Sequence, residues 1–159
     1  MVTIKASRRV VDKLKPSSII AASLLLLWTN ASFAQVTASN AWVRAAAPDT
    51  FVLAAYAELN NATNHPIALT QVTSPQFARV ELHETILKAG KSFMRKMDNL
   101  TIAPGGHFSF FPNGPHMMLI DPKQALPVGT SVELDFHFDD DKTIVTIARV
   151  QEDAESTGK

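Results

Sequence analysis

In the seven residues Val132-Glu133-Leu134-Asp135-Phe136-His137-Phe138 apolar and polar side chains alternate without a break. A period of two belongs to an extended strand with one covered and one open face, so Val132, Leu134, Phe136 and Phe138 are expected inward and His137 outward beside Asp135, as a solvated surface residue. The rest of the chain beyond residue 34 follows the same pattern. No stretch longer than about ten residues has helical periodicity, no internal repeat or heptad is present, and short β-rich runs recur between Pro, Gly and Asn. The spacing predicts nine strands, at residues 41–45, 52–59, 67–73, 78–87, 91–97, 107–111, 116–120, 132–138 and 143–150. The class is all-β, and nine strands suit a sandwich or barrel. A chain of 159 residues with 46% hydrophobic content is the size of a single domain. Trp42 is expected to anchor its core.

The first 34 residues read differently. Lys5, Arg8, Arg9, Lys13 and Lys15 precede an apolar run from Ile19 to Trp28, then Ser32-Phe33-Ala34 with small residues where a signal peptidase needs them. We expect a signal peptide over 1–34, cleaved after Ala34, because the run is too short to span a bilayer as a helix. Ser7-Arg8-Arg9 resembles a twin-arginine signal, but Asp12 stands where that signal wants an apolar residue, so the general secretory route is expected. The mature protein is then a periplasmic domain over 35–150 with no membrane span, followed by a tail, 151–159, expected to be disordered. It keeps ten basic and fourteen acidic residues, a formal charge of −4, which argues against a nucleic-acid partner. There is no cysteine, so dithiol chemistry is excluded and the core alone must stabilise the fold. A monomer is the expected state.

All the methionines beyond the leader, Met94, Met97, Met117 and Met118, fall in one 25-residue stretch, with His83 and His116 close by. Thioether sulfur is a soft ligand and imidazole a borderline one, so a His/Met set without cysteine favours Cu(I) over harder cations. Strand parity tests whether the set converges. In 78–87 the even positions Ala78, Val80, Leu82 and Ile86 should face the core, leaving Arg79, Glu81, His83 and Thr85 on the other face. The chain turns near Lys88-Ala89-Gly90; an even loop sets Met94 on the face of His83, and an odd loop selects Met97 instead. His116 and Met118 share one face and Met117 takes the other, which makes Met117 the better core residue. Pro112-Asn113-Gly114-Pro115 forms a rigid turn that holds the His116/Met118 pair in place. His65 reads as a turn residue, His107 as a strand start, and Glu81 and Glu84 as surface charges. No Ser/His/Asp grouping or paired acid has catalytic spacing, so no enzyme is expected.

His83, ten residues, Met94, twenty-one residues, then His116-Met117-Met118 resembles the signature of the periplasmic copper chaperones called PCu(A)C. Ala41-Trp42-Val43-Arg44-Ala45, Val80-Glu81-Leu82-His83, Ala103-Pro104-Gly105-Gly106 and Gly114-Pro115-His116-Met117-Met118-Leu119 extend the resemblance over nearly the whole mature chain. It implies a cupredoxin-like Greek-key β-barrel in which His83, Met94, His116 and Met118 bind one Cu(I). It also implies delivery to the dinuclear copper centre of cytochrome c oxidase, with a thioredoxin-like assembly factor as co-worker. Two departures stand out. A methionine often found after the first histidine is Glu84 here, and the His/Met-rich tail of many relatives is missing from 151–159, so a single site is expected.

Blue-copper electron transfer needs a cysteine thiolate, which this chain lacks. Neutral ligands favour Cu(I) and suit a carrier, and because imidazole must lose its proton to bind, affinity is expected to fall below about pH 6. Two other readings compete: a copper scavenger for tolerance or uptake, and a β-sandwich module that binds a protein partner without metal.

Overall fold

The computed structural model describes residues 35–153; the expected signal peptide, 1–34, and residues 154–159 of the expected tail lie outside the described residues. Ten strands are present: β1 (Val36–Arg44), β2 (Val52–Asn61), β3 (Ile67–Thr73), β4 (Phe77–Lys88), β5 (Lys91–Lys96), β6 (Leu100–Ile102), β7 (His107–Phe110), β8 (Pro115–Pro122), β9 (Ser131–Phe138) and β10 (Thr143–Gln151). They form one sheet in the order β5-β4-β8-β2-β1-β10-β9-β3-β6, with β7 paired to β2. β8 lies between β4 and β2, and β10 between β1 and β9, so the chain makes the long returns of a Greek key. β3, near one end of this order, comes against β4, near the other, and the sheet curls around one apolar core. The all-β, cupredoxin-like single domain expected from the sequence is what the chain adopts.

The strand with the clearest alternation behaves as its pattern requires: Val132, Leu134, Phe136 and Phe138 are all buried. They meet Val43, Leu59, Leu69 and Leu119 from the other strands in that core. Each such side chain contributes roughly 1.5–3 kcal/mol by leaving water. β9 pairs β10 through seven positions, Thr143 opposite His137 to Arg149 opposite Ser131.

Five expectations need correction. β1 begins at Val36, five residues before the predicted start, because the register shifts between Ser39 and Trp42, with Asn40 at a φ of 50°. A bulge of this kind breaks the alternation by which a strand is recognised. It also sets the inward residues: Val43 is the buried anchor, whereas Trp42 faces the other way and packs on Tyr56, ring centres 4.4 Å apart. β6 escaped prediction, being three residues long. Ala78, expected inward, is exposed, and Phe77 takes the core position. His137 is not merely solvated, since its ring nitrogens sit 2.9 Å from the hydroxyls of both Thr73 and Thr143.

The segment beyond Val150 is tied down at its start. Gln151 ends β10, and Arg44, whose guanidinium lies over the Tyr56 ring, donates a 2.8 Å hydrogen bond to Asp153. Both partners of this ion pair are substantially exposed, so Asp153→Ala is expected to lower unfolding stability by no more than about 0.5 kcal/mol in urea titrations, less in high salt.

Candidate metal centre

The β4–β5 hairpin fixes which methionine accompanies His83. Lys88 pairs Lys91 across the two-residue turn Ala89-Gly90, both of whose residues have positive φ, 50° and 74°. That is the turn geometry whose twist matches a tight hairpin, and glycine at the second position accommodates it without strain. The even loop sets Met94 opposite Thr85, two positions from His83 and on its face. Met97 donates its backbone N–H to Leu82 and packs against the core. The choice left open by parity therefore falls to Met94.

β8 supplies the other two residues. His83 lies directly opposite His116, and Glu81 opposite Met118, so all four donors share one face of the β5-β4-β8 sheet. Met117 turns inward and is fully buried. The imidazole rings of His83 and His116 are 6.2 Å apart between centres, tilted by 33°. Their burial is graded: His116 is 7% exposed, the His83 side chain 16%, Met118 is half-buried, and Met94, on the edge strand, is 68% exposed.

Each histidine is held by one nitrogen. His116 donates from Nδ1 to the Gly114 carbonyl at 2.9 Å, and the same carbonyl accepts the Thr85 N–H from the neighbouring strand. The Phe111–Pro115 turn is closed by a 2.7 Å bond from the Phe111 N–H to the Pro115 carbonyl, which fixes that acceptor. A ring whose Nδ1 carries the proton presents a lone pair at Nε2. In His83 the arrangement is reversed: Nε2 lies 3.1 Å from the Glu81 carboxylate, while Nδ1 is buried without a hydrogen-bond partner. An orphaned buried nitrogen costs about 1–3 kcal/mol unless something binds it.

Glu81, read from sequence as a surface charge, is thus tied to the His83 ring. Its hydrogen bond with His83, helped by the charges of Lys96 and Arg79, holds its carboxyl below the usual carboxylate range. The signal for it was available: residues two apart on a strand share a face. Glu84 behaves as parity required, pairing with Arg95 away from the histidines. Among the described residues no three His, Asp or Glu side chains converge as a metal cage.

Comparison with known proteins adds to this geometry. The family model described as LpqE-like matches residues 36–150. The protein RP573 of Rickettsia prowazekii is 32% identical over 101 residues, 63% of this chain and 56% of that protein. Lxx21020 of Leifsonia xyli subsp. xyli, described as a lipoprotein, is 29% identical over 109 residues, 68% of this chain and 64% of its own length. The chain thus spans less than two thirds of these curated relatives. Among solved structures, the copper-bound PCuAC domain from PmoF2 superposes with a TM-score of 0.63 at 22% identity, over 76% of this chain and 96% of that one. CuI-DR1885 from Deinococcus radiodurans gives 0.58 at 28% identity, over 74% and 78%.

Proposed function

The chain belongs to the LpqE-like family and has a PCuAC-like fold, and from that premise we propose that it is an exported copper carrier: it holds one Cu(I) with His83, Met94, His116 and Met118 and yields it to a partner. The observation that carries this reading is the pair of histidines, one nitrogen of each engaged by the protein and the other left for a ligand, on a face shared with both methionines. With metal–nitrogen bonds of about 2 Å, an ion shared by two imidazoles lies about 3 Å from each ring centre. The observed separation of 6.2 Å therefore admits one ion between the rings. Glu81 and the Gly114 carbonyl then act as the partners that metal-bound histidines commonly have, fixing tautomer and ring orientation.

The donor set favours the reduced ion. All four groups are neutral, and thioethers are soft donors that bind more weakly than thiolates, so Cu(I) is held but remains transferable. Release begins at the exposed end. Met94 is the donor an incoming ligand reaches first, and it can be replaced while the buried His116 keeps hold of the ion. We further propose the dinuclear copper centre of cytochrome c oxidase as recipient, with a thioredoxin-like assembly factor as co-worker, on the strength of the sequence resemblance. Export through a cleaved leader, 1–34, agrees with a family and a relative described as lipoproteins.

The decisive experiment is an anaerobic Cu(I) titration of the exported chain against a chromophoric chelator, beside a Met94→Leu/Met118→Leu variant. One equivalent bound by the parent and lost in the variant, with its circular dichroism unchanged, supports the site; equal binding by both overturns it. Met117→Leu serves as a control. It is expected to keep the one-equivalent endpoint and to cost less than about 1.5 kcal/mol of stability, being a volume-conserving change in the core.

A further inference from the structure

β5 lies at one edge of the sheet, and all six of its residues are exposed. Around it stand three large apolar side chains open to solvent, Leu87, Phe93 and Met94, of which Leu87 and Met94 lie on the histidine face. The hairpin is also unlike the rest of the molecule in charge. Residues 87–97 carry Lys88, Lys91, Arg95 and Lys96 and no carboxylate, whereas the chain from Gln35 onward has ten basic and fourteen acidic residues. Arg95 is paired with Glu84; among the described residues no carboxylate lies within ion-pair distance of Lys88, Lys91 or Lys96.

An apolar centre with a charged rim is the anatomy of a docking surface, and its sign selects the partner. We infer that the β4–β5 hairpin is where an acidic protein docks to take copper, its accepting group brought up against Met94. This inference rests on the copper reading above. The chain from Gln35 onward, at a net −4, repels an acidic visitor except where positive charge is concentrated, so encounters are steered to the exposed hairpin that carries Met94, with Lys96 on the histidine face and Lys88, Lys91 and Arg95 on the other. Lysines on a sheet edge also guard against edge-to-edge pairing, and the test must separate that role from docking.

Two synthetic acceptor peptides of equal length, each with a Cys-x-x-x-Cys centre, one flanked by glutamates and the other by lysines, provide the probes. Stopped-flow transfer from the copper-loaded protein at low ionic strength is expected to be about tenfold faster to the acidic peptide, the difference collapsing at high salt. Lys88→Glu/Lys91→Glu is expected to invert the preference; neither residue is a proposed ligand. If the basic peptide is faster, as the net charge alone would dictate, or if the variant changes nothing, the inference is overturned. A copper-free measurement keeps the two ideas apart. With serine in place of both cysteines, the acidic peptide is expected to shift the amide resonances of residues 85–97 in the metal-free protein. Shifts there support the surface even if the copper reading fails; their absence leaves the lysines as edge guards and sinks it.

Discussion

His116→Ala is expected to lower Cu(I) affinity by about 100-fold or more in anaerobic competition titrations at neutral pH, since loss of a partner that merely orients a ligand already costs about 10–100-fold. His116 is the most buried of the four donors, and its ring is pre-set by the Gly114 carbonyl, so the intact protein pays little ordering entropy when copper arrives. Its loss removes both a ligand and that preorganisation. His83→Ala is expected to follow closely, and Met94→Leu alone to cost less, because an exposed thioether on an edge strand is the least confined donor. If all three variants match the parent, the ion is held elsewhere. If Met94→Leu is the most damaging, the proposed order of release is wrong.

Asn61→Ala is expected to remove about 3 kcal/mol of folding stability, seen as a lowered urea midpoint with an unchanged m-value, through a site that has nothing to do with copper. Asn61 is fully buried at the end of β2. Its Nδ2 donates to the carbonyls of His65, Ile102 and Ala103 at 2.9, 3.1 and 3.1 Å. Its Oδ1 accepts from the backbone N–H and the hydroxyl of Thr63 at 3.0 and 2.6 Å. One amide therefore ties the loop after β2 to the end of β6. Alanine leaves several buried polar groups without partners, each costing about 1–3 kcal/mol less whatever water recovers. The folded fraction is expected to retain full copper stoichiometry; a variant as stable as the parent would mean that water replaces the amide without loss.

These two residues differ in how far the sequence announces them. His116 stands out because histidine and methionine at fixed offsets are an uncommon conjunction, and their soft-donor chemistry is legible without a fold. Asn61 sits in Asn60-Asn61-Ala62-Thr63-Asn64, which reads only as loop punctuation. Its bonds to Thr63 and His65 are local, but those to the carbonyls of Ile102 and Ala103 lie some forty residues away, and no local pattern points to them.

By itself the sequence determined the all-β class, the inward set of β9, the inward turn of Met117 and the candidate donors, because a period of two and the chemistry of side chains are local properties. Only the tertiary structure decided which methionine shares the face of His83, since that depends on the Ala89-Gly90 turn pairing Lys88 with Lys91. It likewise decided that Val43 rather than Trp42 enters the core, a consequence of the bulge in β1. The roles of Glu81 and the Gly114 carbonyl also waited on the fold, because hydrogen bonds that orient a ring depend on register and distance across strands. A one-residue slip in β4 would carry every donor on it to the opposite face, so the site is a property of register, which is settled by turns, bulges and the packing of the whole core.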